Sequence, residues 1–330
     1  MKNASSYHLR LFLKSSCNFR CVYCNPTAVS EEGPILSDSE ILDILSIAAE
    51  SGVKRVHYSG GEPTLRKKLP EIIQHAVSLG FTEQVITTNG VLFNRFFDEY
   101  RDAGLTRANI SIDSLDRQEF AKLTGRDELE AVVSAIHKSH QHLKVTKLNV
   151  VVMRRNLTQI PMLIELAAKL VGTVPRFIEL QSNQPAFYQN VGDIEAEHVN
   201  QEDIHNRLRV FGTYSPAVGI GGENPNCQYF HYDEMPVTFG IIANHSRGYP
   251  CGGCHKLRVS PYGVLGVCIH AKGIDLKSTT LEEKRRAFKQ AFSDREDLDI
   301  IQPDRKHHSA TFGFWRWGDV SDKIGDAAEK

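Results

Sequence analysis

The stretch CNFRCVYC, residues 17–24, places three cysteines within eight residues. Thiols this close together in one loop belong either to a disulfide framework or to a metal site. The chain has seven cysteines, an odd number, which argues against a framework of paired disulfides. A cytoplasmic location would also argue against disulfides, because that compartment is reducing. The sequence therefore predicts a metal site in this loop.

The rest of the composition is that of an ordinary globular protein. Of 330 residues, 41% are hydrophobic and 24% are charged, and 39 Lys and Arg balance 40 Asp and Glu. A net charge of -1 argues against nucleic acid or an anionic membrane surface as the main partner. We find no apolar segment of signal-peptide length at the N-terminus and no apolar run of about 18 residues. We therefore expect a cytoplasmic protein without a membrane span.

The spacing of Cys17, Cys21 and Cys24 offers three thiolates to one metal centre. Structural zinc normally takes four protein ligands, and this loop holds no fourth Cys or His. Three thiolates on a four-iron cluster would instead leave one iron open to a small molecule. A zinc site with a distant fourth ligand and three separate core cysteines remain alternatives at this point.

Between residues 7 and 180 the hydrophobic pattern alternates between strand-like and helix-like segments. Ser37 and Glu40 form a capping box that predicts the start of the first helix. The alternation predicts six β/α units, and therefore a parallel sheet, either doubly wound or a full or partial β/α barrel. The predicted strands are 7–14, 53–58, 83–88, 107–113, 144–153 and 176–180, and the predicted helices are 37–52, 66–80, 92–104, 128–140 and 158–170.

Unusual polar segments follow the first four predicted strands. The cysteine loop follows the first strand, SGGEP (59–63) the second, TTNG (87–90) the third and SIDS (111–114) the fourth. In parallel α/β folds the C-terminal ends of the strands meet at one rim, where ligands bind. We therefore expect these four segments to share one site.

A second cysteine group lies near residue 250. Cys251, Cys254 and Cys268 again offer three thiolates, the last one at the end of a predicted hairpin over 257–270. Two readings stay open: a zinc site completed by His255 or His270, or a second iron–sulfur cluster with an open iron.

The loop CNFRCVYC resembles the cluster loop of the radical S-adenosylmethionine (SAM) enzymes, and GGEP (60–63) resembles their second signature. The resemblance implies a partial (β/α)6 barrel, a [4Fe–4S] cluster on the first three cysteines, and SAM as the source of a 5′-deoxyadenosyl radical. It also implies contacts to SAM from the strand ends. The residues concerned are Tyr23, Gly60, Gly61, Glu62, Pro63, Thr87, Thr88, Asn89 and Ser111.

Together the two cysteine groups resemble those of the GTP 3′,8-cyclases, which open molybdenum-cofactor (molybdopterin) biosynthesis. The segments LTGR (123–126), KLNVVVMR (147–154) and RFIEL (176–180) resemble that family too. The resemblance implies a radical SAM core over 1–215 and a smaller C-terminal domain over 216–330 that carries a second [4Fe–4S] cluster. It implies GTP as the substrate and a flavodoxin or ferredoxin as electron donor, and we also expect a homodimer.

The same resemblance implies roles for basic residues. Arg10, Lys147 and Arg176 would bind the triphosphate, and period-2 alternation on three strands could aim all three into a barrel. Arg66 is a further candidate. Beside the second cysteine group, Lys256 and Arg258 occupy the places of two catalytic arginines of that family. Surface positions at strand edges are the alternative for each residue.

The chain departs from the cyclase pattern in places. It has Ser15 and Ser16 before the first cysteine where the family has Asp-Arg, and its last residues, 324–330, lack the Gly-Gly of the family. The aromatic segment 312–319 is not typical of the family either. A related two-cluster enzyme acting on another nucleotide or on a peptide therefore stays open. A non-catalytic metal-binding protein is the third hypothesis.

Overall fold

A computed structural model describes residues 4–24, 33–180, 194–217, 226–243, 254–268 and 273–301. Six parallel strands form the centre of the fold, each paired in register with the next along the chain. They are β1 (His8–Phe12), β2 (Arg55–Ser59), β3 (Glu83–Thr88), β4 (Arg107–Ser111), β5 (Val145–Val152) and β6 (Val174–Glu179).

Helices connect these strands, as the alternating pattern predicts. They are α1 (Asp38–Glu50), α2 (Leu69–Ser78), α3 (Val91–Arg95), α4 (Phe97–Asp102), α5 (Arg117–Thr124), α6 (Leu129–His142) and α7 (Ile160–Lys169). Three further helices follow: α8 (Ile194–Glu197), α9 (Gln201–Leu208) and α10 (Leu281–Ile301). The capping box of α1 is confirmed, because the Ser37 hydroxyl accepts from Glu40 N at 3.2 Å and Glu40 Oε2 accepts from Ser37 N at 2.7 Å.

Later segments of the chain extend the same sheet on both sides. On the β6 side lie β9 (Thr238–Ile242), β8 (Gln228–Tyr232) and β7 (Tyr214–Pro216), with β9 parallel to β6. On the β1 side lie β10 (Lys256–Val259), β11 (Val264–Gly266) and β12 (Ile274–Asp275), with β10 parallel to β1. The hairpin expected over 257–270 is present as β10 and β11. The predicted domain boundary at 215/216 stays a prediction.

The sheet is curved so that its two sides approach each other. In a flat sheet β1 and β6 would lie about 24 Å apart, because neighbouring strands are about 4.8 Å apart. Arg176 on β6 nevertheless lies close enough to Arg10 on β1 for its charge to lower the pKa of Arg10. The predicted α/β fold with a partial barrel is thereby confirmed.

Each face of the sheet has its own chemistry. On β1, Leu9 and Leu11 are buried in the main hydrophobic cluster together with apolar residues of the helices. His8 and Arg10 alternate with them and therefore face the opposite, inner side. The apolar outer face stabilises the fold, which leaves the inner face for polar and charged residues. In the described part of the chain, no helix is long and apolar enough to cross a membrane.

Candidate active site

The GGEP segment packs directly against the cysteine loop. Gly61 N donates to Lys14 O at 2.7 Å, and Glu62 N donates to Ser16 O at 2.9 Å. A Cβ atom on Gly60 would lie 2.5 Å from Lys14 O, and one on Gly61 would overlap Ser16 O. Glycine is therefore required at both positions. The contact fixes the start of the cysteine loop relative to the end of β2.

The first cysteine of that loop has hydrogen-bond donors beside its sulfur. Phe19 N lies 3.4 Å and Asn89 Nδ2 lies 3.7 Å from Cys17 Sγ. Such donors stabilise a thiolate and are typical of sulfurs that bind iron. Burial raises the pKa of Cys17, of Cys21 and, to about 11, of Cys24, and the neighbouring thiols add to the increase for Cys21 and Cys24.

The donor set fits an iron–sulfur cluster in its chemistry, with three neighbouring thiols in one loop. No three His, Cys, Asp or Glu side chains of the described ranges lie close enough together to hold a single metal ion.

Glu62 joins the ends of β2 and β3. Its buried carboxylate accepts from Thr64 Oγ1 at 2.6 Å, from Thr88 Oγ1 at 2.8 Å and from Asn89 N at 2.8 Å. Burial raises the pKa of Glu62, and these hydrogen bonds oppose the increase. Thr88 and Asn89 are therefore held in place by Glu62. Pro63 begins the short helical turn Pro63–Leu65 that follows.

A second buried carboxylate lies at the end of β4. Tyr23 Oη donates to Asp113 Oδ2 at 2.6 Å, and Val151 N donates to Asp113 Oδ1 at 2.8 Å. Burial raises the pKa of Asp113 to about 6. This hydrogen bond fixes Tyr23, and with it the end of the cysteine loop, to the end of β4. Ser111 ends β4 two residues earlier. The SAM contacts predicted for Tyr23, for Ser111 and for GGEP and TTNG stay predictions.

The inner face of the sheet gathers basic residues. Lys147 is 0% exposed and Arg176 is 6% exposed. Burial lowers the pKa of Arg10 to about 10, with further lowering by Arg258 and Arg176. Burial also lowers the pKa of Lys147 to about 6, with further lowering by Arg107 and Arg176. The three residues predicted to bind a triphosphate are thus brought into one electrostatic neighbourhood.

Buried like charges are costly unless an anion or a hydrogen-bonding partner compensates them. Lys147 donates to Tyr229 Oη at 2.8 Å, and Arg176 donates to Asn149 Oδ1 at 2.5 Å. Arg107 pairs with Glu83 at 2.9 Å. The Nε atom of Arg176 is buried and has no hydrogen-bond partner among the described residues. The arrangement therefore favours binding of an anion with several charges.

The strand β10 adds two more basic residues to this inner face. Arg258 pairs in register with Arg10, and Lys256 with His8. Burial lowers the pKa of Lys256 to about 7, with Arg10 and Arg258 contributing and Cys254 opposing. Cys254 and Cys268 lie at the two ends of the β10–β11 hairpin. Their predicted partner Cys251 lies outside the described residues, as do residues 312–319 and 324–330.

The phosphate-binding role predicted for Arg66 stays a prediction, and the contacts of its side chain favour a structural role instead. Its side chain is buried and donates to Asp38 Oδ1 at 2.8 Å, to Leu13 O at 3.1 Å and to Leu36 O at 2.5 Å. Through these three hydrogen bonds the guanidinium connects the turn after GGEP to the start of α1 and to the end of β1. Arg66 therefore has a structural role.

Sequence reasoning missed several polar residues of the inner face. His57 Nε2 lies 2.7 Å from Thr87 Oγ1, and His57 Nδ1 lies 3.4 Å from Arg10. Asn109 Nδ2 donates to Thr87 Oγ1 at 3.2 Å. Strand alternation could have placed Asn109 on this face, because it lies two residues before the predicted site residue Ser111 on β4. It could not have placed His57, because β2 itself holds no predicted site residue. Tyr229 could not have been found, since no strand was predicted there.

The chain resembles known proteins over most of its length. A family model described as the radical SAM superfamily matches residues 13–167. The chain is 31% identical to a GTP 3′,8-cyclase of Actinobacillus pleuropneumoniae serotype 3 (strain JL03), over 93% of this chain and 88% of the relative. It is 32% identical to a probable GTP 3′,8-cyclase of Sulfolobus acidocaldarius, over 86% and 90%. It is 33% identical to the molybdenum cofactor biosynthesis protein moc-5 of Caenorhabditis elegans, over 94% of this chain but only 50% of that longer relative.

Solved structures show the same fold at lower identity. Streptococcus suis SuiB bound to S-adenosylmethionine superimposes with a TM-score of 0.63 at 16% identity, over 91% of this chain and 66% of SuiB. SuiB bound to its precursor peptide SuiA gives a TM-score of 0.60 at 16% identity, over 80% of this chain and 59% of SuiB. The chain thus spans slightly less than two thirds of SuiB. At this identity the likeness shows the fold alone.

Proposed function

Since the chain belongs to the radical SAM superfamily, in the family of the GTP 3′,8-cyclases, we propose that it cyclises GTP by joining ribose C3′ to C8 of the base. The product would enter molybdenum-cofactor biosynthesis. The observation that carries this proposal is the group of basic residues Arg10, Lys147 and Arg176 on the inner face of the sheet, of which Lys147 and Arg176 are buried. A triphosphate supplies the several negative charges that this group lacks.

Radical SAM enzymes use a [4Fe–4S] cluster and SAM, and Cys17, Cys21 and Cys24 would hold the cluster in this chain. When bound, the cluster and SAM supply one electron and a 5′-deoxyadenosyl radical that abstracts a hydrogen atom. The chain contributes fixed geometry around them. Glu62 holds the end of β3, and Asp113 holds Tyr23 of the cysteine loop.

The substrate would be held by its phosphates. Near neutral pH, Lys147 in the free protein is largely without its proton, because its pKa is about 6. A phosphate oxygen beside Lys147 would restore the ammonium form and give a charge-assisted hydrogen bond. Arg10 and Arg176 would bind the remaining phosphate oxygens through their guanidinium groups.

The second cysteine group would complete the site from the β10 side. We propose that Cys251, Cys254 and Cys268 hold a second [4Fe–4S] cluster, which binds the guanine base, in a C-terminal domain over 216–330 that follows the core of 1–215. The pairing of Arg258 with Arg10 supports this, because it brings β10 next to the cation group. Lys256 and Arg258 would then act on the substrate.

An outside protein must deliver the electron, and we propose a flavodoxin or ferredoxin. A homodimer is proposed from the family resemblance.

The proposal is tested by incubating the anaerobically reconstituted protein with SAM, dithionite and a panel of nucleoside triphosphates. We expect loss of GTP alone, matched by an equal amount of 5′-deoxyadenosine. Lys147→Met should strongly reduce GTP loss at subsaturating GTP, whereas replacing Lys144, an exposed lysine just before the same strand, by Met should not. Loss of another nucleotide, or of none with a precursor peptide consumed instead, would assign the chain to a related radical SAM reaction.

A further inference from the structure

An unsatisfied polar atom marks one point of the inner face. Asn109 lies on β4 and is 1% exposed. Its Nδ2 donates to Thr87 Oγ1 at 3.2 Å, but its Oδ1 is buried and has no hydrogen-bond partner within the described ranges. Leaving a buried acceptor unpaired costs about 1–3 kcal/mol. Such a cost indicates that a bound molecule supplies the missing donor.

The surroundings of Asn109 show what kind of group is missing. The charged neighbours on this face, Arg107, Lys147 and Arg176, are donors that suit phosphate oxygens. The amide oxygen of Asn149, on the adjacent strand, is already used by Arg176 at 2.5 Å. Asn109 Oδ1 therefore needs a donor, and a phosphate oxygen at neutral pH has none to offer. A hydroxyl both donates and accepts, so it can pair with whichever end of the Asn109 amide faces it.

The register of the strands shows where this point lies along a bound nucleotide. Asn109 pairs with Thr87 on β3 on one side and with Lys147 on β5 on the other. Thr87 is on the predicted SAM side, and Lys147 belongs to the group expected to bind the triphosphate. The sugar of a nucleotide joins the phosphates to the base, and in the proposed reaction it carries the hydrogen atom that is removed. The ribose must therefore lie between these two regions.

We propose that Asn109 binds a ribose hydroxyl of the substrate and so makes the pocket select ribonucleotides over deoxyribonucleotides. The inference rests on the proposed function, in which a ribonucleoside triphosphate occupies this inner face. Asn109 is then a specificity-determining residue, and the hydroxyl that it binds is fixed relative to the SAM side of the pocket.

The test measures binding to the reconstituted protein without reductant, so that no turnover occurs. GTP, 2′-deoxy-GTP and 3′-deoxy-GTP are titrated by calorimetry into the wild type, Asn109→Ala and Asn109→Asp. We expect the wild type to bind one deoxy analogue about tenfold more weakly than GTP, the loss of one hydrogen bond. Asn109→Ala should bind GTP as weakly as that analogue, with no further loss for the analogue. Asn109→Asp keeps an acceptor and should keep the preference for GTP.

A matched control separates the sugar from the phosphates. Asn149→Ala removes the partner of Arg176 and should weaken all three nucleotides equally, leaving the preference intact. Equal binding of all three by the wild type would overturn the inference, and so would an equal weakening of all three by Asn109→Ala, which points to a bound water at Oδ1. In either case the proposed function would stand. A wild type that binds no GTP at all would overturn both.

Discussion

Replacing Lys147 by methionine is expected to stabilise the free protein while it weakens triphosphate binding. Lys147 is fully buried, and burial, Arg107 and Arg176 lower its pKa from 10.5 to about 6. What it gains in return is a 2.8 Å hydrogen bond to Tyr229 Oη and a position over the Tyr229 ring, 4.6 Å from the centroid. Methionine has a similar length and carries no charge, so it removes the desolvation cost and keeps most of the packing.

The size of the effect follows from the difference in pKa. Each unit corresponds to about 1.36 kcal/mol, so the shift sets an upper bound of roughly 6 kcal/mol, reached at pH values below 6. At pH 6.5 this bound is about 5 kcal/mol, and because Lys147 is then mostly uncharged, the loss of its hydrogen bond to Tyr229 offsets about 1 kcal/mol of it. We therefore expect Lys147→Met to raise the free energy of unfolding by up to about 4 kcal/mol near pH 6.5.

The pH dependence distinguishes this cause from better packing. Because the pKa of Lys147 is lower in the folded state, the unfolded chain binds an extra proton between about pH 6 and 10.5, and wild-type stability rises with pH across that window. The advantage of Lys147→Met should therefore be largest near pH 6 and decrease steadily towards pH 9.

Anaerobic thermal unfolding at pH 6.5, 7.5 and 8.5 measures the change, with Lys144→Met as the control that should leave stability unchanged at every pH. Calorimetry on the same proteins should show GTP binding weakened about tenfold to a hundredfold in Lys147→Met, the loss of one charge-assisted hydrogen bond. A less stable Lys147→Met protein, or a gain that does not vary with pH, would show that Lys147 is already compensated in the free protein.

Four further changes, at Cys17, Cys268, Arg66 and Tyr229, test other parts of the site and its surroundings. Cys17→Ala should lose about half of roughly eight irons and should no longer cleave SAM. Cys268→Ala should still cleave SAM but should not turn over GTP. An iron count of about four in the wild type, with zinc present, would contradict the second cluster. Arg66→Met should lower the melting temperature by several degrees, because two buried carbonyl oxygens lose their donor and Asp38 loses its partner, and should leave KM for GTP unchanged. Tyr229→Phe should raise KM for GTP and should lower stability less than Tyr232→Phe does. Tyr232 lies in the same strand, and its replacement removes a 2.7 Å hydrogen bond to Leu208 O of α9.

The sequence was sufficient for features that depend on local pattern. Alternating segments predicted all six central strands, and the capping residues Ser37 and Glu40 placed the start of α1 correctly. Pairing between distant segments leaves no local trace, so β10 beside β1 could not be predicted. The strands β7, β8 and β9 were missed because residues 181–250 have weak periodicity, and with them Tyr229 was missed.

The basic residues near the rim also show that contacts between distant segments cannot be predicted from local pattern. Arg10 lies within a strand, where alternation decides which side of the sheet a residue faces. It does lie on the same side as Arg176 and Arg258. Arg66 follows a turn, where no periodicity applies, and its side chain reaches Asp38 and two backbone carbonyls of other segments. Only the folded chain could distinguish a structural arginine from one available to a substrate.

The position of the cations explains how the chain can keep them and still fold. Arg10 alternates along β1 with Leu9 and Leu11, so the residues that oppose folding and those that drive it lie on opposite faces of one strand. The free energy gained by burying the apolar face can offset the mutual repulsion of the basic residues on the inner face, although the two faces are not in contact. A bound polyanion then relieves that repulsion, so binding should stabilise the fold by mass action, by about 2.7 kcal/mol at one hundred times the dissociation constant. Inorganic triphosphate alone should give part of this stabilisation, because the relief depends on charge and requires neither base nor ribose.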